Sequence, residues 1–220
     1  MRNRAEDQII LAFIRHGETQ ANAQRRYLGK TDEPLSEHGI QRLMSYKEQN
    51  LYPQADYLFT SPMRRCVETA GILYPRLKPV IIPEWEETDF GRFEYKNYEE
   101  LKNDEQYQQW IDSGGMMDFP EGESRTAFAK RCAGGFQSMC RVLQRARTDE
   151  RTEHTKEPVR AAMIVHGGTI MALLSAYGKG ECQKGYYDYQ AANGRGYLAL
   201  ARLAETEASV AVRLEGIREI

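Results

Sequence analysis

Residues 9–19 of the chain read IILAFIRHGET, and this stretch decides the predicted fold. The apolar run Ile9–Ile14 predicts a buried strand. Arg15, His16 and Gly17 follow directly, so the strand delivers a guanidinium and an imidazole to the carboxyl edge of a sheet, where open α/β sheets bind their ligands. A neutral histidine can act as a nucleophile, and arginine matches phosphate oxygens two at a time. The stretch therefore indicates phosphoryl transfer to an imidazole nitrogen.

Composition and charge bound the class of protein. The 220 residues, 41% of them hydrophobic, suffice for one α/β domain over 1–220 with a full core. The formal net charge of −2 argues against nucleic acid or a membrane surface as the partner. Neither a signal peptide nor a membrane span is recognisable, and the four cysteines form no CxxC pair. We therefore expect a soluble cytoplasmic protein with reduced thiols and no zinc site.

Alternating strand and helix patterns predict a mostly parallel central sheet with helices on both faces, a three-layer α/β/α fold. The predicted strands cover 9–14, 57–60, 80–82, 161–165, 197–203 and 210–214. The predicted helices cover 36–49, 62–74 and 169–177, with a long helix beginning at Ser124. The predicted loops and linkers are 21–34, 148–158 and 178–185.

Residues 84–123 interrupt this alternation. The segment is rich in acidic residues, tyrosine and glycine, and it contains one predicted helix, over about 97–111. A long connection without strands is often functional or mobile. We expect this segment to be a helical lid inserted over the edge of the sheet, and not a second domain.

Polar residues follow three of the predicted strands. His166 and Gly167 come directly after the strand over 161–165, and Arg64 and Arg65 open the helix that follows the strand over 57–60. The carboxyl ends of parallel strands share one edge, so His16 and His166 are expected to face each other there. Helix N-termini also attract phosphate. The pattern alone does not choose between the two arginines.

Phosphoryl transfer to histidine also needs a proton donor for the departing alkoxide. Four acidic residues follow the third strand, and a buried carboxyl beside a bound phosphate can stay protonated. Spacing alone leaves the choice open among Glu84, Glu86, Glu87 and Asp89.

Four motifs in a fixed order resemble the histidine phosphatase (phosphoglycerate mutase-like) superfamily, between about residue 9 and residue 175. They are Arg15–Thr19 with Asn22 and Gly29, then Ser61–Cys66, Glu87–Gly91 and Val165–Gly168. The resemblance implies the three-layer fold predicted above. It also implies a phosphatase that works through a transient phosphohistidine.

The resemblance assigns roles to individual residues. It implies His16 as the nucleophile, Glu87 as the acid that protonates the leaving group and then activates water, and His166 as a third catalytic residue. The residues it implies for phosphate binding are Arg15, Asn22, Gly29, Arg65 and Gly167. No metal and no cofactor are expected, because the cationic side chains neutralise the phosphate. The expected partner is a small phosphorylated metabolite, and a homodimer is left open.

The superfamily contains both hydrolases and mutases. Mutases resembling this chain carry a lysine at the position of Tyr98 and a tyrosine at that of Phe90, so hydrolysis is the favoured reaction. The block Pro120–Ser124, together with Arg131, resembles alpha-ribazole phosphatases and related broad phosphatases, although Tyr95 replaces their usual glycine. A phosphoglycerate mutase and a non-catalytic protein that binds phosphorylated ligands are the alternatives.

Four aromatic residues of the expected lid allow two interpretations. They either stack on an aromatic leaving group or pack in an ordinary core. These residues are Tyr95, Tyr98, Tyr107 and Trp110.

Overall fold

The computed structural model describes residues 7–148, 158–179, 185–205 and 210–220. The strands are β1 (Asp7–Arg15), β2 (Tyr57–Thr60), β3 (Val80–Ile81), β4 (Val159–Val165), β5 (Gly196–Glu205) and β6 (Val210–Glu219). The helices are α1 (Gln20–Ala23), α2 (Glu37–Glu48), α3 (Arg64–Leu73), α4 (Tyr98–Leu101), α5 (Glu105–Asp112), α6 (Arg125–Thr148) and α7 (Gly167–Tyr177). Among the described helices, none is long and apolar enough to cross a membrane.

The strands form one sheet in the order β3-β2-β4-β1-β5-β6. β1, β2, β3 and β4 pair in parallel, whereas β5 and β6 are antiparallel additions at one edge. Side chains of β1 alternate between two buried clusters, one built with α6 and α7 and the other with α2 and α3. The prediction of a mostly parallel sheet between two helical layers is therefore confirmed.

The register of the two central strands places the two histidines together. Ile14 lies opposite Ile164 and Arg15 opposite Val165, so both strands leave the sheet at the same level. The N–H of His16 then donates to the carbonyl oxygen of Val165 at 2.9 Å. Because β1 and β4 are parallel neighbours, the residues after both strands emerge at one carboxyl edge.

Two helix boundaries differ from the prediction because side-chain capping sets where the helices begin. The predicted loop over 21–34 begins with α1, whose N-terminus is fixed by a capping box between Thr19 and Asn22. The single helix predicted over 97–111 is two helices, because the side chain of Asp104 accepts from the N–H groups of Gln106 and Tyr107 and starts α5.

Smaller differences concern the ends of other elements. α3 begins at Arg64, two residues later than predicted, and β3 ends at Ile81, before a 3-10 turn over Pro83–Trp85. β5 and β6 extend beyond their predicted bounds. Residues 149–157 of the predicted linker and 180–184 of the predicted loop lie outside the described residues.

Residues 84–123 have an aromatic cluster of their own. Its buried members are Phe93, Leu101 and Tyr107. Packed against them are Phe90, Trp110 and Phe119, together with Tyr27 from the loop after β1. The segment is thus attached to the loop that follows Asn22.

Candidate active site

His16 lies at the end of β1 with a defined tautomer. Its ring nitrogen Nδ1 is 2.7 Å from the carbonyl oxygen of Gly17. A carbonyl only accepts hydrogen bonds, so Nδ1 carries the proton and Nε2 keeps its lone pair. Burial, together with the charges of Arg65 and Arg15, holds the pKa of His16 well below 6.5. The imidazole is therefore neutral near pH 7, with Nε2 available as a nucleophile.

His166 faces His16 across the same edge. The two ring centroids are 5.2 Å apart at an interplanar angle of 67°, and both rings are buried. Nε2 of His166 lies 2.8 Å from the hydroxyl of Ser61, the residue that follows β2. Burial, aided by Arg65 and His16, lowers the pKa of His166 well below its usual value. The hydrogen bond between His166 and Ser61 fixes the orientation of this neutral ring.

Two arginines place buried N–H groups beside the histidines. Arg65 donates to the carbonyl oxygens of Thr31 at 3.0 Å and Gly29 at 2.9 Å, and Arg15 donates to that of Ala191 at 2.8 Å. The Nε atoms of both arginines are buried without a hydrogen-bond partner among the described residues. Buried donors are normally satisfied, so these two N–H groups provide binding capacity for an anion.

The choice between Arg64 and Arg65 is settled by burial. Arg65 is fully buried, whereas the side chain of Arg64 is 59% exposed and pairs with Glu68 at 2.7 Å. Only Arg65 faces the two histidines, because adjacent residues at the start of α3 point in different directions.

Glu87 is the acidic residue that reaches the site. Its Oε2 lies 3.9 Å from Nδ1 of His166, and its Oε1 accepts from the N–H of Thr88 at 2.9 Å. Glu84 and Glu86 are exposed, and Asp89 forms an ion pair with Lys30. Burial raises the pKa of Glu87 above 4.5, although Thr88 and the neighbouring arginines oppose this. A carboxyl with a raised pKa keeps its proton to a higher pH, which suits general acid catalysis.

Arg131 on α6 fixes the backbone on either side of Glu87. Its guanidinium donates to the carbonyl oxygens of Glu84, Glu86 and Glu87 at 2.8, 2.6 and 3.0 Å. It also binds both carboxylate oxygens of Glu123 at 2.7 Å. Five hydrogen bonds from one planar group leave this segment little freedom to shift.

Asn22 lies on α1 at the mouth of the site. Its Oδ1 accepts from the N–H of Thr19 at 3.2 Å and from Nδ2 of Asn193 at 3.0 Å. Asn193 also donates to the carbonyl oxygen of His16 at 3.2 Å. With these contacts to Oδ1, the amide nitrogen of Asn22 is the group left to face a ligand.

The two predicted glycines occupy different places. The N–H of Gly29 donates to the carboxylate of Glu94, and its carbonyl accepts from Arg65, so Gly29 orients an arginine and offers no N–H to a phosphate. Gly167 is the first residue of α7, a Cβ on it would lie 3.6 Å from Nε of Arg15, and no side chain caps the helix there. The free N-terminus of an 11-residue helix favours an anion.

Four supporting residues were missed by sequence reasoning or found only in part. Ser61 holds His166, and Thr69 accepts from the N–H of Gly17 at 3.0 Å. Asn193 joins Asn22 to His16, and Arg131 was noted only within a resembling block. The Asn193-Gly194 pair before β5 is a turn signal that was available, since Gly194 has φ +75°. The contacts themselves depend on chain segments distant in sequence.

Tyr95 explains one departure from the resembling sequences. It has φ +59°, a conformation that favours glycine, and the relatives it resembles carry glycine there. Its hydroxyl donates to Glu33 at 2.9 Å, and its ring packs under the guanidinium of Arg26. These contacts compensate the backbone conformation and hold the ring against Arg26.

Comparisons with known proteins agree with the fold. The chain matches the model of the histidine phosphatase superfamily (branch 1) over residues 11–195. It therefore belongs to this superfamily. The solved structure of the alpha-ribazole phosphatase from Shigella flexneri has a TM-score of 0.64 and 23% identity, covering 94% of this chain and 95% of that one.

Two curated relatives have different names. The chain is 34% identical over 125 residues to the adenosylcobalamin/alpha-ribazole phosphatase of Escherichia coli (strain K12), covering 55% of this chain and 62% of that protein. It is 30% identical over 130 residues to the probable phosphoglycerate mutase GpmB of Cronobacter sakazakii, covering 57% and 60%. The alignments thus span less than two thirds of either relative.

Proposed function

We propose that the chain is a phosphomonoesterase that hydrolyses a small phosphorylated metabolite through a phosphohistidine. The observation that carries this proposal is the neutral His16, with Nε2 unprotonated, beside two buried guanidinium N–H groups that have no partner among the described residues. Such a site binds a phosphate and places a nucleophile next to it.

The first half-reaction transfers the phosphoryl group to the protein. Nε2 of His16 attacks phosphorus, the ester P–O bond breaks, and Glu87 gives its proton to the departing alkoxide. Arg15, Arg65 and His166, with Asn22, bind the phosphate oxygens and stabilise the charge that develops on them. The carbonyl of Gly17 stabilises the positive charge on the phosphorylated imidazole through Nδ1–H.

The second half-reaction restores the starting protein. The carboxylate of Glu87 takes a proton from a water molecule, whose oxygen attacks phosphorus while the P–N bond to His16 breaks. The products are inorganic phosphate, neutral His16 and protonated Glu87. In this scheme Gly29 acts through Arg65, and the N-terminus of α7 at Gly167 adds to the field at the phosphate.

The proposal also concerns the identity of the substrate. The similarity to the Escherichia coli alpha-ribazole phosphatase supports an ester of that kind. The similarity to the GpmB protein supports mutase activity as a second candidate. We favour hydrolysis because Tyr98, which lines the cavity beside Arg15, stands at the position where the mutases resembling this chain carry a lysine.

We also propose that residues 84–123 form a lid and that the protein is cytoplasmic. Residues 84–123 bring Glu87 and Tyr98 to the site and share an aromatic cluster with Tyr27, which supports a lid within a single domain. The described cysteines Cys66, Cys132 and Cys140 are free and buried, which supports a reducing compartment such as the cytoplasm.

One set of assays tests the reaction. We expect wild-type protein to hydrolyse p-nitrophenyl phosphate at least about 1,000-fold faster than His16→Ala. Rapid acid-free quenching followed by mass spectrometry should find a phosphoryl group on the peptide containing His16. Equal rates for the two proteins would refute catalysis and leave a binding protein. Isomerisation of 3-phosphoglycerate faster than its hydrolysis would favour the mutase, and a screen including alpha-ribazole 5′-phosphate addresses the substrate.

A further inference from the structure

A cavity of about 350 Å³ opens beside the proposed phosphate site. Arg15 and Asn22 line this cavity and also belong to the proposed phosphate site, so a phosphate held there directs the rest of the substrate into the cavity. Its volume is near the lower end of the roughly 300–1,000 Å³ found for small-molecule pockets. We call this space the leaving-group pocket.

One wall of the leaving-group pocket is a rigid tyrosine. Tyr27 packs edge-on against Phe90, with ring centroids 5.3 Å apart, and also contacts Phe93 and Trp110. Its hydroxyl is 3.1 Å from that of Tyr107, which is only 3% exposed. Because both hydroxyl groups are engaged with each other, the pair presents mainly ring surface.

Tyr98 lines the same pocket without being buried. It is the first residue of α4, whose N-terminus is fixed by a capping box between Asn97 and Glu100. Its side chain is 54% exposed, and its ring is 6.3 Å from that of Tyr107. The backbone of Tyr98 is therefore held in place while a ring face remains open to a ligand.

Arginines border these rings, and no described residue lining the pocket is acidic. Arg26 is held by Glu100 and by the carbonyl oxygen of Tyr95, each at 2.6 Å. Arg25 is exposed, with no ion pair or hydrogen bond from its side chain among the described residues. A guanidinium over an aromatic ring is attracted by the ring's π electrons.

We infer that the leaving-group pocket selects phosphomonoesters whose leaving group carries a flat aromatic ring, and that Tyr98 is the specificity-determining residue. The inference rests on the proposed phosphatase function. Offset or edge-to-face contacts with Tyr98 and Tyr27 favour an aromatic ring over a saturated ring of similar size. The guanidinium of Arg25 favours the same ring through its face.

Benzyl phosphate and cyclohexylmethyl phosphate test the inference. Both lose a primary alkoxide, and they differ mainly in whether the ring is flat. We expect wild-type kcat/KM to be about three- to ten-fold higher for the benzyl ester. Tyr98→Leu should reduce this ratio to about one through KM, whereas Tyr98→Phe should keep it.

The control is Tyr57→Leu, a partly exposed tyrosine at the amino end of β2, opposite the edge that holds the site and outside the pocket lining. It should keep the wild-type ratio. A wild-type ratio of one, or a Tyr98→Leu variant that retains the preference, would overturn the inference. The proposed function would survive either result, since both esters would still react faster than with His16→Ala. If neither ester exceeds that background, the proposed function itself fails.

Discussion

Nη2 of Arg131 donates to the carbonyl oxygen of Glu87 at 3.0 Å. The same guanidinium binds two more carbonyls of this segment and the carboxylate of Glu123. The proposed general acid, which lies in irregular backbone, is thus positioned by an arginine from helix α6.

Arg131→Ala should impair proton donation more than phosphate binding. Benzyl alkoxide needs a proton to leave, whereas p-nitrophenolate leaves without one. We therefore expect kcat to fall at least about ten-fold with benzyl phosphate and much less with p-nitrophenyl phosphate. Arg141→Ala, an exposed arginine on the same helix, is the control. Equal losses on both substrates would show a general structural defect.

The raised pKa of Glu87 predicts how catalytic activity depends on pH. Because burial raises the pKa of Glu87, the protonated acid persists to a higher pH than for an ordinary carboxyl and is lost as pH rises through that pKa. We expect kcat/KM for benzyl phosphate to fall along this limb. His16 should cause no loss near pH 6.5, since its pKa lies well below that value.

Glu87→Gln provides the comparison for this profile. The phosphate of the substrate ionises in the same way with both proteins, but the variant lacks the titrating acid. Its activity with benzyl phosphate should be low, and the ratio of wild-type to variant kcat/KM should decline as pH rises. A ratio that is constant across the acidic and neutral range would assign proton donation to another group.

Gly168 leaves room for Glu87. A Cβ at this position would lie 2.9 Å from Oε1 of Glu87 and 3.1 Å from the ring of Phe128. Gly168→Ala should displace the carboxyl and lower kcat with benzyl phosphate about ten-fold. In Gly134→Ala, on α6, the new Cβ meets nothing within 4 Å, so this variant should keep activity and gain up to about 1 kcal/mol of stability. Unchanged kcat in Gly168→Ala would place the acid elsewhere.

Binding of inorganic phosphate should stabilise the fold. At roughly 100 times its Kd, a ligand that binds only the native state adds about 2.7 kcal/mol. For a chain of this size that raises Tm by about 5–10 °C. Arg65→Lys should largely abolish the shift, because the compact ammonium of lysine lacks the planar fork with which the guanidinium reaches Gly29, Thr31 and a phosphate from three separate nitrogens. Arg64→Lys, the exposed neighbour, should retain it. The same shift in both variants would contradict the assignment.

Sequence reasoning found the parts of the site that follow directly from strand ends. The apolar runs before His16 and His166 predicted two buried strands, and parallel pairing then predicted that the two rings meet, as the structure places them. The choice of Arg65 and Glu87 could not be made from residue pattern, because each has chemically identical neighbours and differs from them in burial. Only the resemblance selected these two residues.

Contacts between distant segments were out of reach for the same physical reason. The hydrogen bonds from Asn193 to Asn22 and from Arg131 to Glu87 join residues separated by 171 and 44 positions. No local period encodes such pairs. The division of the helix predicted over 97–111 was readable in principle from Asp104, whose side chain is a common N-cap.

The aromatic cluster of Phe93, Leu101 and Tyr107 is separate from the two clusters that cover the sheet. The two histidines are anchored in the sheet, while the surface that meets the rest of the substrate is anchored in this small satellite core. Substitutions among its rings can therefore reshape recognition without moving the two histidines. For protein engineering, the satellite core is the place to retarget the proposed phosphatase toward new esters, provided that Glu87, which belongs to the same segment, keeps its contact with Arg131.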